Sequence, residues 1–301
     1  MRVVTIGNFD GVHHGHRVLV GAALAQAADT PGSQVVVVTF QPHPLAILRP
    51  DAAPALLTSM PRRSALLAEA GADEVVVLPF TKELSEMSPE GFAHLLRERP
   101  DIAADAVVVG ENFRFGNGAA GNTATLASLG EALGFDVFVQ PVVAEDTAEQ
   151  GSVTCSSTYI RRCIAEGDME AAAHALGRPH RLEGTVVRGD ARGRELGYPT
   201  ANVDVLDGMA IPPDGVYAGW LVTDADRLPA AISIGTNPQF DGRERRVEAY
   251  ALDRDDLELY AQHVGVDVVA RLRGQAVFPS VADLQAQMAR DVAAAREALA
   301  G

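Results

Sequence analysis

Five short apolar runs punctuate the first half of the chain: Val3 to Ile6, Val35 to Phe40, Val75 to Leu78, Ala106 to Val109 and Val137 to Val139. Runs that are apolar at nearly every position, rather than at alternate ones, predict strands buried on both faces of a parallel sheet, with helices filling the stretches between them. After a helical, polar-capped region between Ser156 and Gly177 the texture changes. Gly184 to Val187, Gly215 to Val222, Ala230 to Ile234, Val247 to Leu252 and Val264 to Arg271 are strand-like runs broken by Gly, Pro and Asp. Strands without intervening helices predict an antiparallel barrel or sandwich. Val281, Leu284, Met288, Val292 and Leu299 approximate the stripe of one closing helix, and Ser280 with Asp283 reads as its capping box, so this helix is expected to lie on the barrel as a lid. The break at Gly177-Arg178-Pro179-His180 sets the expected boundary, giving domains 1–180 and 181–301.

Unusual residues cluster where the first-half strands end: Gly7-Asn8-Phe9-Asp10, Gln41-Pro42-His43-Pro44 and Gly110-Glu111-Asn112 onward to Gly116. Open α/β sheets bind ligands beyond the carboxyl ends of their strands, so the three clusters point to one cleft. The first is the most informative. Gly7 to His16 joins a strand to a helix through a glycine turn, and backbone N–H groups at such a helix start attract an anion, with phosphate the natural guest. If the helix begins there, His13 and His16 share a face and Gly15 keeps the approach open. A zinc pair on a helix is usually spelled H-E-x-x-H, and no third ligand stands nearby. The HxGH spelling resembles that of nucleotidyltransferases related to class I aminoacyl-tRNA synthetases, in which the histidines steady ATP phosphates. His43, held between two prolines, gains interest only because it opens onto the same cleft.

Composition narrows the partners. The 301 residues carry a net charge of −15 with 47% hydrophobic positions, enough for two cores and unsuited to a nucleic-acid surface. Lys82 is the sole lysine, which rules out a P-loop and leaves anionic substrates to arginine, histidine, backbone N–H groups or a metal. Cys155 and Cys163 are too few for a disulfide framework. With no signal-like or membrane-length apolar segment, a cytoplasmic protein without membrane or nucleic-acid partners is expected.

Ser156 and Ser157 stand at a helix start with Arg161 one turn on; plain capping explains the hydroxyls, whereas Arg161 supplies the charge that a pyrophosphate leaving group needs. In the second half Gly184, Gly189 and Gly193 alternate with arginines before Gly197-Tyr198-Pro199-Thr200-Ala201-Asn202. Flexible glycines can close over phosphates, and the Thr200 hydroxyl and Asn202 carbonyl are hard oxygen ligands suited to Mg²⁺. Glu248 falls in an alternating strand, where a solvated outward glutamate is the ordinary outcome. Phosphoryl transfer to an alcohol profits from one such carboxylate.

In this order, and over nearly the whole chain, these motifs resemble the bacterial bifunctional riboflavin kinase and FAD synthetase family. The matching stretches include Gly7 to His16, Phe40 to Pro44, Ser156 to Arg161, Gly184 to Asn202 and Val247 to Tyr250. The resemblance implies a Rossmann-like nucleotidyltransferase domain followed by a β-barrel riboflavin kinase domain, with ATP as co-substrate and FMN and FAD as products. By position it implies Thr200 and Asn202 at Mg·ATP and Glu248 deprotonating the ribityl hydroxyl of riboflavin. It implies Gly7, Asn8, Phe9, Asp10, His13, Gly15, His16, Ser156, Ser157 and Arg161 at the adenylyltransferase ATP, with His43 and Asn112 lining that site. At most weak self-association is expected. Asn112, Asn122, Ala119-Ala120, Gln239, Tyr250 and Ala261 depart from the family's frequent residues. A single-activity adenylyltransferase for another phosphorylated precursor and a non-catalytic flavin binder are the competing readings.

Overall fold

The computed structural model describes residues 1–141, 144–147, 151–189, 197–236 and 245–300. The chain forms two compact units, Met1–Pro54 with Met60–Ser156, and Ala55–Ser59 with Ser157–Gly301.

In the first unit the apolar runs form β1 (Arg2–Ile6), β2 (Gln34–Gln41), β3 (Glu74–Pro79), β4 (Ala106–Gly110) and β5 (Asp136–Gln140), a parallel sheet in the order β3-β2-β1-β4-β5. The expectation of strands covered on both faces holds for β1, β2 and β4, whose central residues are fully buried. It fails at β5, where Phe138 and Val139 are exposed, because β5 is an edge strand. Helices α1 (His14–Ala28), α2 (Pro44–Leu48), α3 (Met60–Glu69), α4 (Lys82–Ser85), α5 (Pro89–Glu98) and α6 (Thr123–Leu133) fill the connections. Phe92, Leu96 and Leu126 from α5 and α6 pack with Val4, Val36 and Val107 in the main core of this unit. Asn122 is accounted for locally, since its Oδ1 accepts from the Thr125 N–H and caps α6. A hairpin of β6 (Ala144–Thr147) and β7 (Gly151–Thr154), not expected from the sequence, completes the unit.

The second unit opens with α7 (Ser157–Glu166) and α8 (Met169–Leu176), stopped at Gly177 with φ 69° as the sequence break suggests. Strands β8 (His180–Val187), β9 (Ala201–Val205), β10 (Gly215–Val222), β11 (Arg227–Thr236), β12 (Arg245–Ala251) and β13 (His263–Arg273) close into an antiparallel barrel, β10-β11-β12-β9-β8-β13. α9 (Val281–Leu299) covers it, with Ser280 accepting from Asp283 N as the expected cap. The compact units part between Ser156 and Ser157 rather than near residue 180. The reason is packing: α8 buries Ala172, Ala175 and Leu176 and rests on β8 and β13, so α7 and α8 group with the barrel. A second departure is the segment 55–59, which leaves the first half of the sequence to pair with the barrel through Leu56 N to Gly208 O and Ala210 N to Leu56 O. Within Pro199-Thr200-Ala201-Asn202, the last two residues begin β9.

Candidate active sites

In the first unit the strand order reverses its direction of growth at β1, between β2 and β4, and the crevice beyond such a point is where this kind of sheet binds ligands. A cavity of about 1080 Å³ lies there. Gly7 and Asn8 after β1, Phe40 at the end of β2, Phe80 and Lys82 after β3, and Asn112 after β4 all line it, so the three expected clusters meet.

The turn after β1 is built against the ordinary preferences of its residues. Phe9, Gly11 and Val12 have φ of 49°, 87° and 41°, and positive φ at a β-branched residue is a genuine outlier. Both side chains are wholly buried in a cluster with Leu66 and Leu67, which holds them in place. The turn delivers His13 to the N-cap of α1, where its side chain makes no capping bond. The His13 and His16 rings stack with centroids 3.6 Å apart, so the expected common face is present. Phe9 meets His16 edge-on at 5.1 Å, and the Cys155 thiol lies 3.7 Å from His13 Nδ1. At Gly15 a Cβ would fall 3.3 Å from the His13 ring and 3.4 Å from the Cys155 carbonyl oxygen, a tight fit that favours glycine.

Two expected residues have structural partners. Asp10 is 1% exposed and accepts from Arg63 Nη2 at 2.9 Å. His43 caps α2, its Nδ1 accepting from Leu45 N at 3.2 Å. Ser156 ends the first unit, whereas Ser157 and Arg161 belong to the second, where Arg161 Nε donates to the Ala55 carbonyl. Arg63 escaped the sequence reading. Its signal was the spacing Arg63, Leu66, Leu67, Ala70, which places a charge on the apolar face of α3.

In the barrel, Glu248 on β12 pairs directly with Asn202 on β9. Burial alternates along β12, with Val247, Ala249 and Ala251 inside, so Glu248 and Tyr250 face outward as expected. Both are half-buried. A cavity of about 410 Å³ is walled by Glu248, Thr200, Tyr198 and Tyr250 on one side and by Leu284, Met288 and Val292 of α9 on the other. Tyr198 and Tyr250 pack edge to face at 5.3 Å, and burial pushes the Tyr250 phenol pKa up. Arg273 grips Asp291 of α9 with Nε and Nη2 at 2.7 to 3.1 Å, and Gln287 adds a bond to the same carboxylate at 2.8 Å. Of the predicted stripe on α9, Leu284, Met288 and Val292 line the cavity and Leu299 packs on the barrel, while Val281 is exposed.

A second cavity, also about 410 Å³, contains Asn202, Gly189, Arg188 and Arg246. At Gly189 a Cβ would fall 2.3 Å from the Asn202 amide, so glycine permits that side chain to lie against the backbone here. At Gly184, inside β8, it would fall 2.1 Å from the Asp204 carbonyl oxygen, so strand packing accounts for this glycine. Gly193 and Gln239 lie outside the described residues. Among the described residues no three His, Cys, Asp or Glu side chains gather as a metal cluster, and no helix is long and apolar enough to cross a membrane.

Comparison with known proteins finds two families in series. The FAD synthetase family model matches residues 1–158 and the riboflavin kinase model residues 176–299. A bifunctional riboflavin kinase/FMN adenylyltransferase of Escherichia coli K12 is 36% identical over 98% of this chain and 92% of its own length. That of Listeria monocytogenes is 34% identical over 96% and 90%. A crystal structure described as a macrolide-efflux protein from Streptococcus pneumoniae superposes with a TM-score of 0.86 at 31% identity, over 98% of this chain and 93% of that one. Two family models in series, and relatives of both halves along nearly the whole length, place this chain in the family of bifunctional riboflavin kinase/FMN adenylyltransferases.

Proposed function

We propose that the chain makes FAD in two ATP-dependent steps, with residue roles as follows. The barrel unit phosphorylates riboflavin: the Glu248 carboxylate accepts the proton of the ribityl hydroxyl as its oxygen attacks the γ-phosphorus of ATP, giving FMN and ADP. The direct pairing of Glu248, which lines the cavity beneath α9, with Asn202 on the neighbouring strand carries this reading. It sets a glutamate directly opposite an asparagine whose amide lies against Gly189. Thr200 and Asn202 fit Mg²⁺, which takes oxygen donors and keeps waters and substrate phosphates in its other positions. Held there, the ion would offset charge on the ATP phosphates. Arg188 and Arg246 add positive charge to the cavity that contains Asn202.

In the first unit FMN meets a second ATP. A phosphate oxygen of FMN attacks the α-phosphorus, an O–P bond forms, and pyrophosphate leaves with the electron pair of the broken bond. His13, His16 and the backbone of the turn Gly7 to Val12 stabilise charge on the triphosphate, and no covalent enzyme intermediate is needed. Phe40, Phe80 and Asn112 offer apolar and polar walls for the flavin. From the resemblance, Ser156, Ser157 and Arg161 also serve this ATP. We place the reactions in the cytoplasm, where ATP is abundant and Cys155 and Cys163 stay free thiols.

Incubating the chain with riboflavin, ATP and Mg²⁺ and resolving the flavins chromatographically tests the whole. FMN is expected first and FAD after it; neither product appearing would overturn the reading. A single-activity adenylyltransferase or a non-catalytic flavin binder would leave the Glu248–Asn202 pair without a task.

A further inference from the structure

The turn from Asn8 to Val12 adopts a conformation its own residues resist, with positive φ at Phe9, Gly11 and Val12. Something outside the turn must hold it. Phe9 and Val12 are buried against Leu66 and Leu67 of α3, and Arg63 lies one turn earlier on the same helix. Arg63 is 2% exposed. Its Nη1 donates to the Asn8 carbonyl at 3.0 Å and its Nη2 to Asp10 Oδ1 at 2.9 Å, so one guanidinium grips the backbone and a side chain on either side of Phe9. The Asn8 carbonyl also accepts from Thr39 Oγ1 at 3.0 Å, which ties the same point to β2. A planar fork can hold two acceptors in fixed directions, which a lysine ammonium cannot do.

We propose that Arg63 is a positioning residue for adenylyl transfer. Through Asn8 and Asp10 it fixes the left-handed turn, and the turn in turn fixes the backbone N–H groups and the His13–His16 stack against the triphosphate of ATP. Arg63 itself lies behind the turn and does not contact substrate. Asp10 then acts as the anchor of the turn rather than as a phosphate ligand, in keeping with its burial. This inference rests on the reading that the turn receives ATP.

The test uses the full chain carrying Arg63→Lys, Arg63→Met, or Asp10→Asn with Arg63→Met, the last removing the carboxylate that the single change would strand. KM for ATP and kcat are measured for FAD formation from supplied FMN, far-UV circular dichroism of the same samples reports that the first unit is folded, and riboflavin phosphorylation reports on the second. Arg63→Met is expected to raise KM for ATP in FAD formation at least ~10-fold, because small misplacements of a binding turn are amplified in rate. Arg63→Lys is expected to fall between it and the parent, the double variant to stay impaired, and FMN formation to stay unchanged. Full recovery in the double variant, or parent KM and kcat in Arg63→Met, would overturn the proposal. His16→Ala, assayed beside them, separates the two levels. If it impairs FAD formation while Arg63→Met does not, the positioning role fails and the ATP reading stands. If neither variant affects FAD formation, both fall.

Discussion

The two units solve the same problem, holding a nucleotide triphosphate near a flavin, with opposite use of the backbone. In the first, the candidate site lies past the ends of strands, beside a turn bent into left-handed conformations at Phe9, Gly11 and Val12 and held by burial. In the second, Glu248 and Asn202 stand within strands, set opposite one another by antiparallel register on the outer wall of a closed barrel, with α9 over Glu248. A strained turn aims backbone N–H groups at an anion, and a ladder aims side chains. The difference suits the chemistry: adenylyl transfer needs charge stabilisation around a triphosphate, whereas phosphorylating an alcohol also needs a proton acceptor at one fixed point.

If the sites are independent, each should be removable alone. Glu248→Gln is expected to have the largest effect, lowering FMN formation by about 10²–10⁴-fold, the range for loss of a positioned base, while conversion of supplied FMN to FAD persists. Parallel loss of both activities would break the comparison. His16→Ala is the converse and somewhat smaller: FAD formation from FMN should fall about 10²–10³-fold, as on removing one stabilising donor, with FMN formation intact. Assaying both products on both variants gives the crossed pattern or refutes it.

Two stability changes probe how each unit is held. Gly184→Ala places a methyl 2.1 Å from the Asp204 carbonyl oxygen, so β8 and β9 must part. A cost of about 1–3 kcal/mol is expected, read as earlier thermal loss of kinase activity than of adenylylation. Asp105 in the first unit accepts from Arg2 N and from Arg97 Nη1, both at 2.9 Å. The bond from the Arg2 backbone N–H is the main cause that holds its carboxyl below the usual range, despite opposing desolvation, with Arg97 adding to it. A carboxylate depressed in the folded state stabilises at neutral pH, and that contribution is lost as pH falls through its folded pKa. With the Asp105 side chain 43% exposed, solvent screening limits the effect. Asp105→Asn should therefore cost under about 1 kcal/mol at pH 7, and the difference in melting temperature from the parent should close on acidification. A difference that persisted in acid would mean that packing, not charge, was lost.

Local signals in the sequence located most elements. The apolar runs found β1 to β5, the Ser280 cap found α9, and the spacing of His13 and His16 anticipated that they share a face. Each depends on residues within a turn or two of one another, and such physics is local. Arg63 was not found because its meaning lies in Asn8 and Asp10, more than fifty positions away. The fate of Glu248 was missed for a related reason: an outward residue on an alternating strand is solvated unless another element covers it, and α9 returns from the end of the chain to do so.

By itself, then, the sequence determined a parallel α/β half and an antiparallel β half, the strand-turn-helix at Gly7 to His16, and the residue types able to bind phosphate, because periodicity, glycine placement and capping act through neighbours. The tertiary structure decided what closes each site and what holds it. It set Asn202 opposite Glu248, carried the segment 55–59 into the barrel unit, grouped α7 and α8 with that unit, and placed a buried arginine against the turn after β1. These are long-range choices of register and burial, fixed only when the whole set of apolar faces finds its partners.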